Sequence, residues 1–268
     1  MAARLGKVLG KMVVTKDSTM NGFRSLERYP SGRKLQQMII ANSSFIAMTR
    51  VIEENLVRAG VPREKIYQIP NGIEISANVE RTNSDSYLQN VLFVGNLYQQ
   101  PAKGIDILLK AWYLIAEKYP KASLQVIGDG VIPAYRDFAN KLGISGSVQF
   151  SGKQADLEKY YRWASLFVLP SRREGMSNAL MEAMMLGLPC LASDISGNQD
   201  LIQNGVNGLL VPAMDIESLA KGICYIFSHP EEALIMGRRA RETIVQQVDI
   251  RIIADKYILL YKNLLGVK

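Results

Sequence analysis

From Val91 to Val211 short apolar runs alternate with segments whose apolar residues recur at helical spacing. The runs are "VLFVG", "SLQVIG", "VQFSG", "LFVLP", "PCLAS" and "GLLVP". Between them lie "DILLKAWYLIAEKY", "IPAYRDFANKLG" (closed by Gly143), "DLEKYYRWA" and a short helix around "NQDLIQN". A strand that is apolar at successive residues must be covered on both faces. A helix between each pair of strands returns the chain so that the strands run parallel. The pattern predicts an α/β fold with a doubly wound parallel sheet.

The flanks are read with the same rules. "NSSFIAMTRVIEENLVRAGVPREKIYQIPNGIE" predicts strand, helix, turn, strand and a Pro-Asn-Gly break. "SANVERTNSDSYLQN" is polar and turn-rich, as a linker is. Within the first 40 residues "KMVVT" reads as a strand and "GRKLQQMII" as a helix, too little for a complete second domain. After "GLLVP" come three helices without strands between them: "IESLAKGICYIFSHP", "EEALIMGRRARETIVQQV" and "IRIIADKYILLYKNLL". The expected organisation is a partial N-terminal segment over 1–70, a main domain over 71–245 and a C-terminal helix over 246–268 that packs back toward the N-terminal segment.

Charge narrows the partners. The net charge is +7, and the first 65 residues hold 12 of the 32 basic and 5 of the 25 acidic residues. The remainder is balanced, so the whole excess lies in the first quarter. Such a quarter is either a solvated face or a surface for anionic lipid headgroups or a phosphorylated acceptor. Base-stacking aromatics are not interleaved with the basic residues, so nucleic acid is not expected. Cys190 and Cys224 lie in apolar surroundings and read as reduced thiols. No apolar run is long enough to span a bilayer, and "MAARLGKVLGKMVV" lacks a continuous apolar signal region. The expected location is the cytoplasm, with peripheral contact at a membrane surface.

The stretch "SRREGMSNALMEAMMLGLPC", Ser171 to Cys190, follows the strand "LFVLP" directly. In an open parallel sheet that places it on the rim where ligands bind. Ser177 and Asn178 are N-cap types, and Gly187 with Pro189 marks a stop, so a helix is predicted over about Asn178 to Leu186. Its N-terminus is an anion site by construction, with Arg172 and Arg173 just before it. Glu182 lies one turn inside and Glu174 lies before the helix. One carboxylate suits a ribose diol and the other a hexose diol, the two ends of a nucleotide sugar. The bland alternatives are dipole complementation for Glu182 and solvated loop charges for the arginines.

These residues carry a resemblance. "EGMSNALMEAMMLGLPCLASDISGNQDLIQNGVNGLLVP" resembles the E-x7-E region of the group 1 (GT4-like) retaining glycosyltransferases. "VLFVGNLYQQPAKGIDILLKAW" resembles that family's first donor-domain strand, glycine loop and Lys-Gly pair, and "KIYQIPNGIE" its interdomain boundary. The resemblance implies a GT-B architecture, whose Rossmann-like donor-binding domain this chain would supply. It implies that Lys103 neutralises the donor diphosphate and that Gly95 lets the loop approach it. Ser177 and Asn178 would present backbone amides, Arg172 and Arg173 added charge. Glu182 would bind the ribose, Glu174 the donor sugar as the catalytic-site carboxylate, and Gly152 with Lys153 the base.

The implied substrates are a nucleotide sugar, with UDP the expected nucleotide, and a polysaccharide or lipid-linked acceptor. No cofactor is implied. No D-x-D pair occurs, so no metal clamp is expected. Two departures stand out. Asn96 follows the loop glycine where many members carry arginine, and only about 70 residues precede the boundary segment. The second departure raises an alternative: a non-catalytic nucleotide-sugar-binding subunit, or a truncated product, that needs a separate acceptor-domain chain. A dinucleotide oxidoreductase is not supported, because "VIGDG" offers Gly128 and Gly130 without the third glycine of the fingerprint. The single histidine, His229, reads as a local turn residue.

Overall fold

Strand β4 (Asn90–Val94) is buried from Val91 through Val94, as a central strand covered on both faces must be. It is the first strand of a six-stranded parallel sheet with β5 (Ser123–Ile127), β6 (Val148–Phe150), β7 (Leu166–Leu169), β8 (Cys190–Ser193) and β9 (Leu209–Val211). The order is β6-β5-β4-β7-β8-β9. Strands are added outward on one side of β4, and then the chain returns to its other side. The point of reversal, between β4 and β7, is where such sheets leave a crevice beyond their carboxyl ends.

The computed structural model describes residues 11–17, 23–76, 88–98 and 102–267. The expected linker lies largely outside the described residues. Contacts divide the chain into two units: Met1–Glu74, Glu174–Met176 and Val248–Lys268 form the first, Ile75–Arg173 and Ser177–Gln247 the second.

The first unit has a three-stranded parallel sheet, ordered β1 (Val13–Asp17), β2 (Ser43–Ala47), β3 (Ile66–Gln68). The two-residue period of β2 explains its core. Phe45 and Ala47 join a cluster with Phe23, Met48, Ile52, Leu56 and Val61, while Ile46 points to the opposite cluster of Ile69, Ile253 and Leu260. The first cluster is fed by α2 (Arg50–Arg58), whose Thr49 cap accepts a hydrogen bond from the Ile52 amide at 3.3 Å. Preceding it, α1 (Gly32–Asn42) is the helix predicted from "GRKLQQMII". The second cluster is closed by the C-terminal helix α10 (Ile250–Leu265), which carries Ile253 and Leu260.

In the second unit, helices α3 (Ile105–Ala116), α4 (Ile132–Lys141), α5 (Glu158–Trp163), α6 (Asn178–Met185) and α7 (Ser196–Gln199) alternate with the strands, and α8 (Ile216–Ser228) and α9 (Pro230–Gln247) follow β9. Helix α3 buries Ile105, Leu108, Leu109 and Trp112, the i, i+3, i+4, i+7 stripe that its sequence displays. Trp112 satisfies its indole N–H on Ser147 Oγ at 2.9 Å. One element is displaced from its sequence reading. Helix α7 starts at Ser196, before "NQDLIQN", and the buried Asn198 inside it donates its side-chain amide to the Ser193 carbonyl at 2.9 Å. Among the described residues no helix is long and apolar enough to cross a membrane.

Candidate functional site at the sheet rim

The loops that leave β4 and β7 meet at the point of reversal. Beyond β4, Gly95 N donates to Ile127 O at 3.0 Å and Leu97 N to Asp129 O at 2.8 Å, so this loop runs alongside the one that leaves β5. The approach has no room for side chains: a Cβ on Gly128 would sit 1.8 Å from the Gly95 carbonyl oxygen. The "VIGDG" glycines therefore serve loop-to-loop contact, which accounts for them without a dinucleotide fingerprint. Asn96 is used locally, its Oδ1 accepting from the Tyr98 amide at 2.8 Å. That is an Asx turn, a role an arginine at this position would not fill.

Gly95 and Lys103 lie together. A Cβ on Gly95 would be 3.7 Å from Lys103 Cδ, so the half-buried lysine stem runs past the glycine. Gly104 then starts α3 with φ +69°, and a side chain there would put Cβ 2.0 Å from Pro170 O, at the end of β7. Only glycine accepts both that dihedral and that contact. Two further bonds fasten the same junction. Arg172 N donates to Ala102 O at 2.8 Å. Its guanidinium forks onto Asp106, Nη1 to Oδ1 at 2.8 Å and Nη2 to Oδ2 at 2.7 Å. Burial pushes the Asp106 carboxyl up, but the Arg172 hydrogen bonds and charge outweigh it and hold it below the usual carboxylate range. Arg172 thus spends two of its five donors on a carboxylate of its own chain. Arg173 is exposed.

Helix α6 begins as its sequence predicts. Ser177 is the cap, and its buried Oγ accepts from Leu180 N at 3.3 Å. Asn178 is exposed, and the first turn carries no acidic side chain to oppose a bound anion. One turn on, Glu182 is half-buried, and its Oε2 accepts a hydrogen bond from Tyr161 Oη at 2.8 Å. Burial raises the Glu182 carboxyl above its ordinary value, and the Tyr161 bond works against that rise. The Tyr161 phenol is pushed far up by burial and by the Glu182 charge, so it stays a donor.

On the next rim positions, Gly152 follows β6, and its carbonyl accepts from Gly128 N at 3.0 Å. Lys153 is exposed. Glu174 groups with the first unit, on the segment Glu174–Met176, whose Met176 packs on that unit's apolar cluster. Of the residues singled out from sequence, the second unit therefore joins Gly95 to Lys103 directly and ties their loop to Arg172. It sets Ser177, Asn178 and Glu182 on one helix. Two partners were missed. Asp106 had a weak signal, an acid in a helix first turn. Tyr161 had none beyond its place on an apolar helix face.

The chain resembles known proteins over this region. The family described as "Glycosyl transferases group 1" matches residues 89–229. An uncharacterized glycosyltransferase of Haemophilus influenzae is 36% identical over 155 residues, 57% of this chain and 43% of the relative. A UDP-Gal:alpha-D-GlcNAc-diphosphoundecaprenol alpha-1,3-galactosyltransferase of Escherichia coli is 27% identical over 210 residues, 74% of this chain and 54% of the relative. The chain thus spans about half the length of the curated relatives it matches. Among solved structures, Anabaena HepE in complex with UDP superposes with a TM-score of 0.86 at 20% identity, over 98% of this chain and 75% of HepE. At that identity the likeness speaks for the fold: mixed α/β with parallel sheets, matching the Rossmann-like domains of GT-B glycosyltransferases.

Proposed function

The chain belongs to the group 1 glycosyl transferases, and from that premise we propose that its second unit holds the nucleotide sugar of a retaining transferase. The observation that carries the reading is the α6 start at the β4/β7 reversal. There a capped helix N-terminus without acids, the Lys103 stem beside Gly95, and the held Glu182 carboxylate occur on neighbouring loops and one helix.

The chemistry follows from charge. In transfer, the bond between the anomeric carbon and the diphosphate oxygen breaks, and the electron pair stays with the diphosphate. The acceptor hydroxyl forms the new bond on the face that the diphosphate leaves, which is retention. What must be stabilised is the charge gathering on the leaving diphosphate. The first-turn amides of α6 and its dipole are fixed in place before that charge appears, so they need no reorganisation. Lys103 and Arg173 add positive charge. Arg172 acts chiefly through the loop it fastens to Asp106. Glu182 accepts from the ribose diol, and Gly152 with Lys153 flanks the base. Glu174, next to Arg173 in the chain, is assigned the donor sugar from the family pattern.

UDP is the nucleotide we favour, supported by the UDP in the HepE complex. A lipid-linked or polysaccharide acceptor is supported by the diphosphoundecaprenol named for the Escherichia coli relative. The basic first quarter is assigned to the membrane surface, on the cytoplasmic side. Titration calorimetry with UDP, UDP-glucose, UDP-galactose and GDP tests the reading. Saturable binding of a uridine ligand supports it, and no binding of any of the four removes it.

A further inference from the structure

We infer that Tyr161 is the positioning residue of the nucleotide site: it holds the Glu182 carboxylate in the orientation that receives the ribose diol. The inference rests on the ribose role proposed above for Glu182 and adds a residue that no motif marks.

The geometry carries it. Tyr161 Oη stands 2.8 Å from Glu182 Oε2. The tyrosine is 2% exposed and packs its ring on Phe167 of β7, with centroids 6.0 Å apart. Its ring is therefore fixed by the sheet, and the hydroxyl is the only part of it that can serve the rim. Glu182 is different. It is a half-buried glutamate with three rotatable side-chain bonds on the second turn of a short helix, and its Oε2 accepts from this phenol. A carboxylate that accepts from two adjacent hydroxyls has to aim its oxygens at both of them. A free glutamate would lose its rotamer freedom on binding, a cost that a prior hydrogen bond removes. A carboxylate has about four acceptor positions, and Tyr161 occupies one, leaving enough for a diol. Tyr161 also lies 3.3 Å from the Ala179 carbonyl, so the phenol is seated against the helix backbone as well as its side chain. A phenylalanine would pack as well in this core. The hydroxyl is what packing alone does not explain.

The test uses Tyr161→Phe in the full 268-residue chain, with UDP and 2′-deoxy-UDP as probes. In the wild type, removing the 2′-hydroxyl should weaken binding by about tenfold or more, the scale of a hydrogen bond to a charged acceptor. In Tyr161→Phe, UDP should bind about tenfold more weakly, and the penalty for the missing 2′-hydroxyl should shrink to about threefold or less. A merely structural tyrosine would lower the melting temperature or affinity for both ligands together and leave the penalty intact.

The outcomes separate the two levels of argument. A wild type without any 2′-hydroxyl penalty overturns the ribose role of Glu182 and this inference with it. A wild type with the penalty, and a folded Tyr161→Phe that keeps all of it, overturns the inference alone. Should the variant fail to fold, the wild type labelled with 13C at tyrosine Cζ answers the same question. The Tyr161 resonance, assigned through its contact with Phe167, should move on addition of UDP and much less on 2′-deoxy-UDP. Equal movement with both overturns the inference.

Discussion

Replacing Arg172 by alanine should loosen the junction between the β4 and β7 loops by a calculable amount. The side chains of Arg172 and Asp106 are 20% and 32% exposed, so the pair sits between a surface bridge and a buried one. Exposed pairs contribute about 0.2–1 kcal/mol, and breaking a fully buried pair costs about 3–5 kcal/mol. With a fifth to a third of each side chain in solvent, screening places this fork between the two ranges and nearer the exposed one, at about 1–2 kcal/mol. The orphaned Asp106 keeps the favourable end of the α3 dipole, worth about 0.3–1 kcal/mol, which caps the loss. For a unit of this size the loss corresponds to roughly 2–6 °C in melting temperature. Arg172→Lys should recover less than half, because an ammonium cannot fork.

A double-mutant cycle with Asp106→Asn isolates the pair. The Asp106 carboxyl is held below its ordinary value, so its contribution is fully present above the unfolded value and is lost as pH falls through the folded one. The coupling measured at pH 7 should therefore fade as acidification carries the protein below the ordinary carboxylate range and through the depressed value of Asp106. Additive single mutants at pH 7, or full rescue by lysine, would refute the reasoning and return Arg172 to the role of an exposed point charge.

The remaining predictions concern ligands. Glu174→Ala should leave affinity for bare UDP unchanged within about twofold and weaken UDP-sugar by about tenfold, the worth of a charged hydrogen bond; equal losses for both would place its effect on the loop. The Glu182 carboxyl is raised by burial, with the Tyr161 hydrogen bond lowering it, so UDP affinity should fall as pH drops toward the carboxylate range. In Tyr161→Phe that fall should begin at higher pH, because the bond favouring the charged form is gone; superimposable profiles would contradict it. The basic first quarter should bind anionic vesicles at low salt, at about 1 kcal/mol per basic residue near the surface. Flotation that is equal on neutral vesicles and insensitive to salt would leave only a solvated face.

What could be read from the sequence follows from which contacts are local. Strands β4 to β9 announce themselves because each is a short apolar run between helical patterns. Helix α6 is delimited by Ser177 and Gly187, residues whose preference for helix ends is a property of a single turn. The rest depends on distance along the chain. Arg172 and Asp106 are 66 positions apart, and nothing in "SRREG" tells an arginine that forks to its own chain from one that awaits an anion. Tyr161 and Glu182 are 21 apart, and Tyr161 lies on the buried face of α5, where periodicity marks it as core. The grouping of Glu174–Met176 with the first unit depends on Met176 finding the Phe23–Phe45 cluster, which no local pattern encodes. The bond from the Asn198 side-chain amide to the Ser193 carbonyl is likewise invisible to apolar periodicity.

The role proposed for Glu182, held on α6 at the sheet rim, is to receive the ribose of a uridine nucleotide. Its most direct measurement is calorimetric titration of UDP into folded Glu182→Ala at neutral pH, with circular dichroism confirming the fold. The expected result is a loss of about 1–3 kcal/mol in binding free energy, the worth of a charged hydrogen bond. A folded variant that binds UDP as tightly as the wild type would contradict it.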